Sequence, residues 1–128
     1  MALSKAILTA IPFSTSVAAS GAVRGIIDVR TYDGGVLHLN IRNTGTGPTA
    51  QCVGKIYTAI VTTSAPTTGS AGVDWKLLYQ IGGGTTASAQ TNTYFEFGPW
   101  GTHLQVEFTD HTAQPVIVEA HAIAYQYS

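Results

Sequence analysis

Residues 116–127 read VIVEAHAIAYQY. In an extended chain successive side chains point to opposite faces. One face of this segment therefore carries Val116, Val118, Ala120, Ala122 and Ala124, and the other carries Ile117, Glu119, His121, Ile123, Tyr125 and Tyr127. Neither set is plainly solvent-facing. A strand that is apolar on both faces needs cover on both, so this closing strand belongs in the middle of something.

The preceding segments have the same character. Residues 102–109 alternate Leu104, Val106 and Phe108 with His103, Gln105 and Glu107, and Pro115 starts the final strand beyond a turn at 110–114. Residues 94–97 form a short aromatic strand that ends at Gly98-Pro99-Trp100-Gly101. Residues 73–81 set Val73, Trp75, Leu77, Tyr79 and Ile81 against Asp74, Lys76, Leu78 and Gln80, the pattern of a half-buried strand. A β-branched run at 51–63 is also two-faced, with Ile56 and Ile60 on one side and Val53, Tyr57 and Val61 on the other. Residues 22–30 and 36–42 alternate cleanly, the latter with Leu37, Leu39 and Ile41 inward and His38, Asn40 and Arg42 outward. Tyr32-Asp33-Gly34-Gly35 between them predicts a hairpin, because glycine tolerates the positive φ of tight turns. The stretches 43–50, 64–72 and 82–93 are polar loops rich in Gly, Thr and Ser. About eight strands separated by turn signals predict an all-β fold, an antiparallel β-sandwich of jelly-roll-like form, in one domain spanning 1–128.

Residues 1–20 loosely imitate a secretory signal, with an apolar stretch at 6–13 and the small run Val17-Ala18-Ala19-Ser20. Thr9 and Pro12 interrupt the stretch, and it reads instead as an N-terminal strand or arm. Nothing approaches the ~20 apolar residues of a membrane helix, so no membrane partner is expected.

Composition narrows the function. Only 10% of the 128 residues are charged, against about 25% in ordinary domains, and the formal net charge is −1. Lys5, Arg24, Arg30, Arg42, Lys55 and Lys76 are scattered, whereas phosphate-driven binding needs clustered cations, so nucleic acid is not an expected partner. A weakly charged surface lacks the repulsion that keeps proteins apart, which favours self-association. Cys52 is the single cysteine. It has no intramolecular partner and reads as buried and inert.

Catalytic and cofactor motifs are missing from the sequence: there is no phosphate loop and no nucleophile elbow. His103 and Glu107 share a strand face but lie about 13 Å apart by strand rise, too far to share an ion. Glu119 and His121 are closer, yet a metal site would need further ligands that the sequence does not supply. Asp33 and Asp110 read as turn formers, and the other carboxylates as outward strand positions. The expectation is a non-enzymatic protein with no catalytic residues, metal or cofactor.

Two residue sets stand out. The two-faced strands are covered either by a loop or arm of the same chain or by a partner, and the interface candidates are Ile117, Glu119, His121, Ile123, Tyr125, Tyr127, Tyr57 and Val61. Trp100, on a tight turn, either caps the open end of the core or stacks on a ligand such as a sugar.

The order Val73-Asp74-Trp75, Gly82-Gly83-Gly84, Phe95-Glu96-Phe97-Gly98-Pro99-Trp100 and Leu104-Gln105-Val106-Glu107-Phe108-Thr109 resembles the small β-rich virion proteins of tailed bacteriophages, the head decoration, cement and tail-accessory types. The resemblance covers residues 73–128 and rests on order and style. It implies a homo-oligomer, often a trimer, that binds a capsid or other virion proteins after synthesis in the host cytoplasm. The alternative expectation is a carbohydrate-binding module or lectin-like sandwich with a glycan as partner.

Overall fold

The computed structural model describes residues 2–60 and 75–127. Its elements are eight strands: β1 (Leu3–Val17), β2 (Val23–Asp28), β3 (Gly34–Asn43), β4 (Val53–Ala59), β5 (Lys76–Gly82), β6 (Gln90–Phe97), β7 (His103–Thr109) and β8 (Val116–Tyr127). Every pairing is antiparallel.

The pairings β1·β8, β2·β7, β3·β6 and β4·β5 are those of one long hairpin folded at its middle. Two more, β3·β8 and β4·β7, roll that hairpin into two sheets. The first sheet has the order β1-β8-β3-β6 and the second β2-β7-β4-β5. This is a jelly-roll β-sandwich, and β8 is an inner strand of the first sheet, with one face buried in the core and the other partly exposed.

Between the sheets lie the residues that the alternation points inward. Leu37, Leu39 and Ile41 of β3 meet Leu104, Val106 and Phe108 of β7 in one cluster with Ile27, Ile56, Val116 and Val118. Ala120, Ala122 and Ala124 are completely buried in the same cluster. Where β3 and β7 contribute large groups, β8 contributes small ones, which lets the layers interdigitate without strain. Cys52 is also in this core.

The hairpin expected at residues 32–35 does not form. β2 lies in the second sheet and β3 in the first, so the connection crosses the sandwich. The glycines serve close packing instead of a positive φ. A Cβ on Gly34 would sit 2.7 Å from both the Phe97 carbonyl oxygen and the Tyr125 hydroxyl, and one on Gly35 would sit 2.4 Å from the Ile123 carbonyl oxygen. Both glycines are already part of β3.

The N-terminal segment is a strand, one of the two forms expected of it, and pairs with β8. It is an edge strand whose register breaks twice, between Thr9 and Ile11 and between Ile11 and Thr15. Residues 90–93 belong to β6 and not to the preceding loop. β5 is largely exposed, not half-buried, because it is the edge of the second sheet.

Candidate functional site

The outer face of the first sheet is laid out in rows set by register. Ile7, Ile123, Val36 and Glu96 are opposed in turn across the sheet, and the next row is Thr9, His121, His38 and Tyr94. Then come Glu119, Asn40 and Asn92, and finally Ser16, Ile117, Arg42 and Gln90. The β8 residues in these rows are outward members of the interface set. Ile117, Glu119, His121, Ile123, Tyr125 and Tyr127 thus share one face, with Tyr125 and Tyr127 meeting edge to face at 6.0 Å.

The strand β1 adds a residue out of turn. Ile7 and Thr9 are on the outer face, but the register breaks on either side of Ile11, which is buried at 1% exposure, while Phe13 two residues on is 73% exposed. The cause is local. Pro12 sits on this edge strand, where its missing N–H costs no ladder bond. Ser14 adopts a left-handed backbone with φ 56°, and Thr15 Oγ1 donates to the Pro12 carbonyl at 2.8 Å. The resulting irregularity re-aims the side chain, a common role of β-bulges. The Phe13 ring stacks on His121 with centroids 3.9 Å apart. Across the sheet Tyr94, 67% exposed, meets His38 edge to face at 4.7 Å.

Between these two aromatic walls lies a hollow of about 360 Å³ whose lining includes Phe13, His38, Asn40, Tyr94, Glu119 and His121. A smaller polar hollow of about 190 Å³ continues it past Asn40, Asn92 and Glu119 to Arg42 and Gln90. Asn40 Nδ2 donates to Asn92 Oδ1 at 2.6 Å, while Asn40 Oδ1 is buried without a hydrogen-bond partner, as is His121 Nε2. Thr9 Oγ1 holds His121 Nδ1 at 3.2 Å. Arg42 lies 3.6 Å from Glu119 and donates to Ser14 Oγ at 3.0 Å.

The second sheet treats its outer face differently. His103, Gln105 and Glu107 point outward from β7, as the alternation indicated for Glu107, yet are all but fully buried. Glu107 forms an ion pair with its cross-strand neighbour Arg24. His103 Nδ1 contacts Thr102 Oγ1 at 2.9 Å. Burial holds the His103 imidazole below its usual range, against the opposing pull of Asp28. Tyr57, Ala59 and Trp75 are buried here with Ile26 packed against them. Tyr57 is therefore covered by its own chain and is not available as an interface residue. Val61 lies outside the described residues.

Trp100 is 53% exposed in the β6–β7 connection. It meets Phe95 edge to face at 6.3 Å and borders a hollow of about 320 Å³ with Val29, Arg30, Tyr32 and Ile60. The Arg30 guanidinium there is engaged by Asp28. Cys52 is far from reactive: burial, with the Asp110 charge adding to it, pushes its thiol up to about 12.

Sequence reasoning placed the β8 face and the outward His38 and Asn40, but did not join them to Phe13, Asn92 and Tyr94. The alternation of Tyr94 and Glu96 against Phe95 and Phe97 carried the signal for Tyr94. No local signal pointed to Phe13.

No protein-family model and no curated protein matches the sequence. Solved structures do match the fold. An adhesin domain of Lys-gingipain from Porphyromonas gingivalis superimposes with a TM-score of 0.56 at 10% identity, over 85% of this chain and 72% of that one. A chain of the IBDV viral particle superimposes at 0.50 and 10% identity, over 98% of this chain and 31% of that one. This chain thus spans about a third of the viral chain's length. The SPBc2 prophage-derived protein YomS is 16% identical over 96% of both chains, with a TM-score of 0.48. At these identities the likeness is one of fold alone.

Proposed function

We propose that the chain is a non-enzymatic structural subunit of a viral particle, which associates with copies of itself and docks on a capsid or other virion surface. The observation that carries this is β5. It is an edge strand of the second sheet, and Leu77, Leu78 and Tyr79 are 50%, 36% and 43% exposed. Three consecutive large apolar groups are therefore open to solvent along this edge. Natural edges are usually blunted by bulges, proline or charge, because an open edge pairs with another chain. The opposite edge of this sheet, β2, is short and carries Arg24. β1 is blunted by its proline and register breaks. β5 has one register irregularity, opposite Ile56–Tyr57, but no proline, and its charge is confined to Lys76 at its start. Backbone pairing along such an edge supplies affinity, and the flanking side chains supply specificity.

The low charge of the chain supports the same reading, as does the occurrence of this fold in an icosahedral virus particle. The resemblance over residues 73–128, which includes β5, points to the particle as the location and to a trimer as the assembly. Light scattering on the wild type is expected to give an oligomer whose mass changes little with salt. Leu78→Lys combined with Tyr79→Lys is expected to return a folded monomer. A wild-type protein that stays monomeric at micromolar concentration and ignores capsid particles would overturn the reading.

A further inference from the structure

We propose that the hollow on the outer face of the first sheet is a binding site for a neutral oligosaccharide. The inference goes beyond assembly and concerns a surface on the sheet that does not contain β5. Three features of the site define the ligand's chemistry.

The walls are aromatic and held in place. Phe13 has one ring face against His121 and most of its remaining surface open, and Tyr94 is propped by the edge of His38. His38 and His121 are themselves opposed across the β3·β8 ladder. The strand bearing His121 and the one bearing Tyr94 are two sheet spacings apart, about 10 Å, which leaves room for sugar rings between the platforms. Rings fixed before binding lose little freedom when a ligand arrives. Their faces suit the C–H faces of pyranose rings.

The floor is polar and incomplete. Asn40 is 91% buried by its 9% exposure, and its Oδ1 has no partner. Turning the Asn40 amide over only exchanges which end is left over. His121 Nε2 is likewise unpartnered, and Glu119 keeps a side chain 20% exposed. Buried polar atoms ordinarily find partners. Hydroxyl groups, each both donor and acceptor, can pair with the part-exposed Glu119 and the exposed Asn92, and would reach the two buried atoms once the side chains over them shift. An apolar surface of a second copy would leave these groups unpaired.

The charge is balanced. The permanently charged groups lining the two hollows are Glu119 and Arg42, which face each other at 3.6 Å. An anionic or cationic ligand would therefore find no net counter-charge, whereas a neutral one is not penalised. The hollow beside Trp100 lacks these features: among the described residues no buried unpartnered polar atom lines it, and its guanidinium is engaged by Asp28.

The test is a screen of the wild-type protein against soluble neutral oligosaccharides of glucose, galactose, mannose, xylose and N-acetylglucosamine, with titration calorimetry on any that bind. Binding to at least one of these classes is expected. Tyr94→Ala and Phe13→Ala are each expected to weaken it about tenfold or more, as for central aromatic contacts in other interfaces. Both side chains are exposed, so the variants keep the fold, which circular dichroism checks. Trp100→Ala is expected to bind as the wild type does. Silence across the whole panel would overturn the proposal, and so would binding that survives both aromatic substitutions or depends on Trp100. A wild-type dimer that Tyr94→Ala dissociates would assign the face to a second copy and would equally overturn it.

Discussion

The two sheets share one core and differ in what they do with their outer faces. On the second sheet, β7 sends three polar side chains outward and the chain covers them: Glu107 has Arg24, His103 has Thr102, and Tyr57 and Trp75 are buried beside Ile26. On the first sheet, β8 and β3 send out a similar mixture of polar and aromatic groups, yet Phe13 and Tyr94 stay bare and two polar atoms beneath them stay unpaired. Burial without partners costs stability. The second sheet's outer face is thus closed over β7, whereas the first sheet's is open, which is the condition the proposed binding site requires.

The sharpest way to break this contrast is to truncate one aromatic on each face. Trp75→Ala removes a buried side chain and is expected to cost about 3–5 kcal/mol, measured by urea unfolding. Tyr94→Ala on the open face is expected to change stability by less than about 0.5 kcal/mol. Similar losses at both positions would mean that the first sheet's outer face also contributes to the fold.

The two ion pairs give a smaller effect of the same kind. Arg24→Met leaves the Glu107 carboxylate buried without its partner and is expected to destabilise by about 2 kcal/mol. Arg42→Met faces the more exposed Glu119 and should cost under about 1 kcal/mol. The same unfolding curves read both.

The least effect is in pH. His103 binds its proton less readily when folded, mainly because it is buried. As pH falls through the ordinary imidazole value of about 6.5, the unfolded chain takes up a proton that the folded one resists, so stability declines with acidity in that window. Asp28 acts lower down. Its hydrogen bonds from Arg30 hold its carboxyl at about 2, so its contribution is complete above the usual carboxylate value and fades as pH drops toward 2. His103→Gln is expected to flatten the upper part of the acid profile and Asp28→Asn the lower, shallower part. An unchanged upper slope in His103→Gln would show that the second sheet's outer face is wetter than its packing implies.

Much of the architecture was legible because period-two alternation reports burial directly. β8 runs over the residues expected of it, Leu37, Leu39 and Ile41 point inward, and so do Leu104, Val106 and Phe108. The crossing between β2 and β3 was not legible. Two glycines after Asp33 look alike whether they make a turn or admit the Phe97 and Tyr125 groups that pack against them. The site was half legible for the same reason. Alternation says which side chains leave a strand on the same side, but not which strands will lie next to each other.

The amino-acid sequence by itself determined an all-β chain of about eight strands, most of its inward faces, and a closing strand with apolar groups on both faces, since these follow from side-chain chemistry at a spacing of two. Only the tertiary structure decided that Tyr57 is covered from within, that β5 is an edge among the described strands, and that Phe13 turns outward to face Tyr94 across two histidines. Those outcomes depend on register, on a bulge at Pro12–Ser14 and on pairing between residues about a hundred positions apart. No local pattern encodes such pairings, because the free energy that selects them is shared across the whole sandwich.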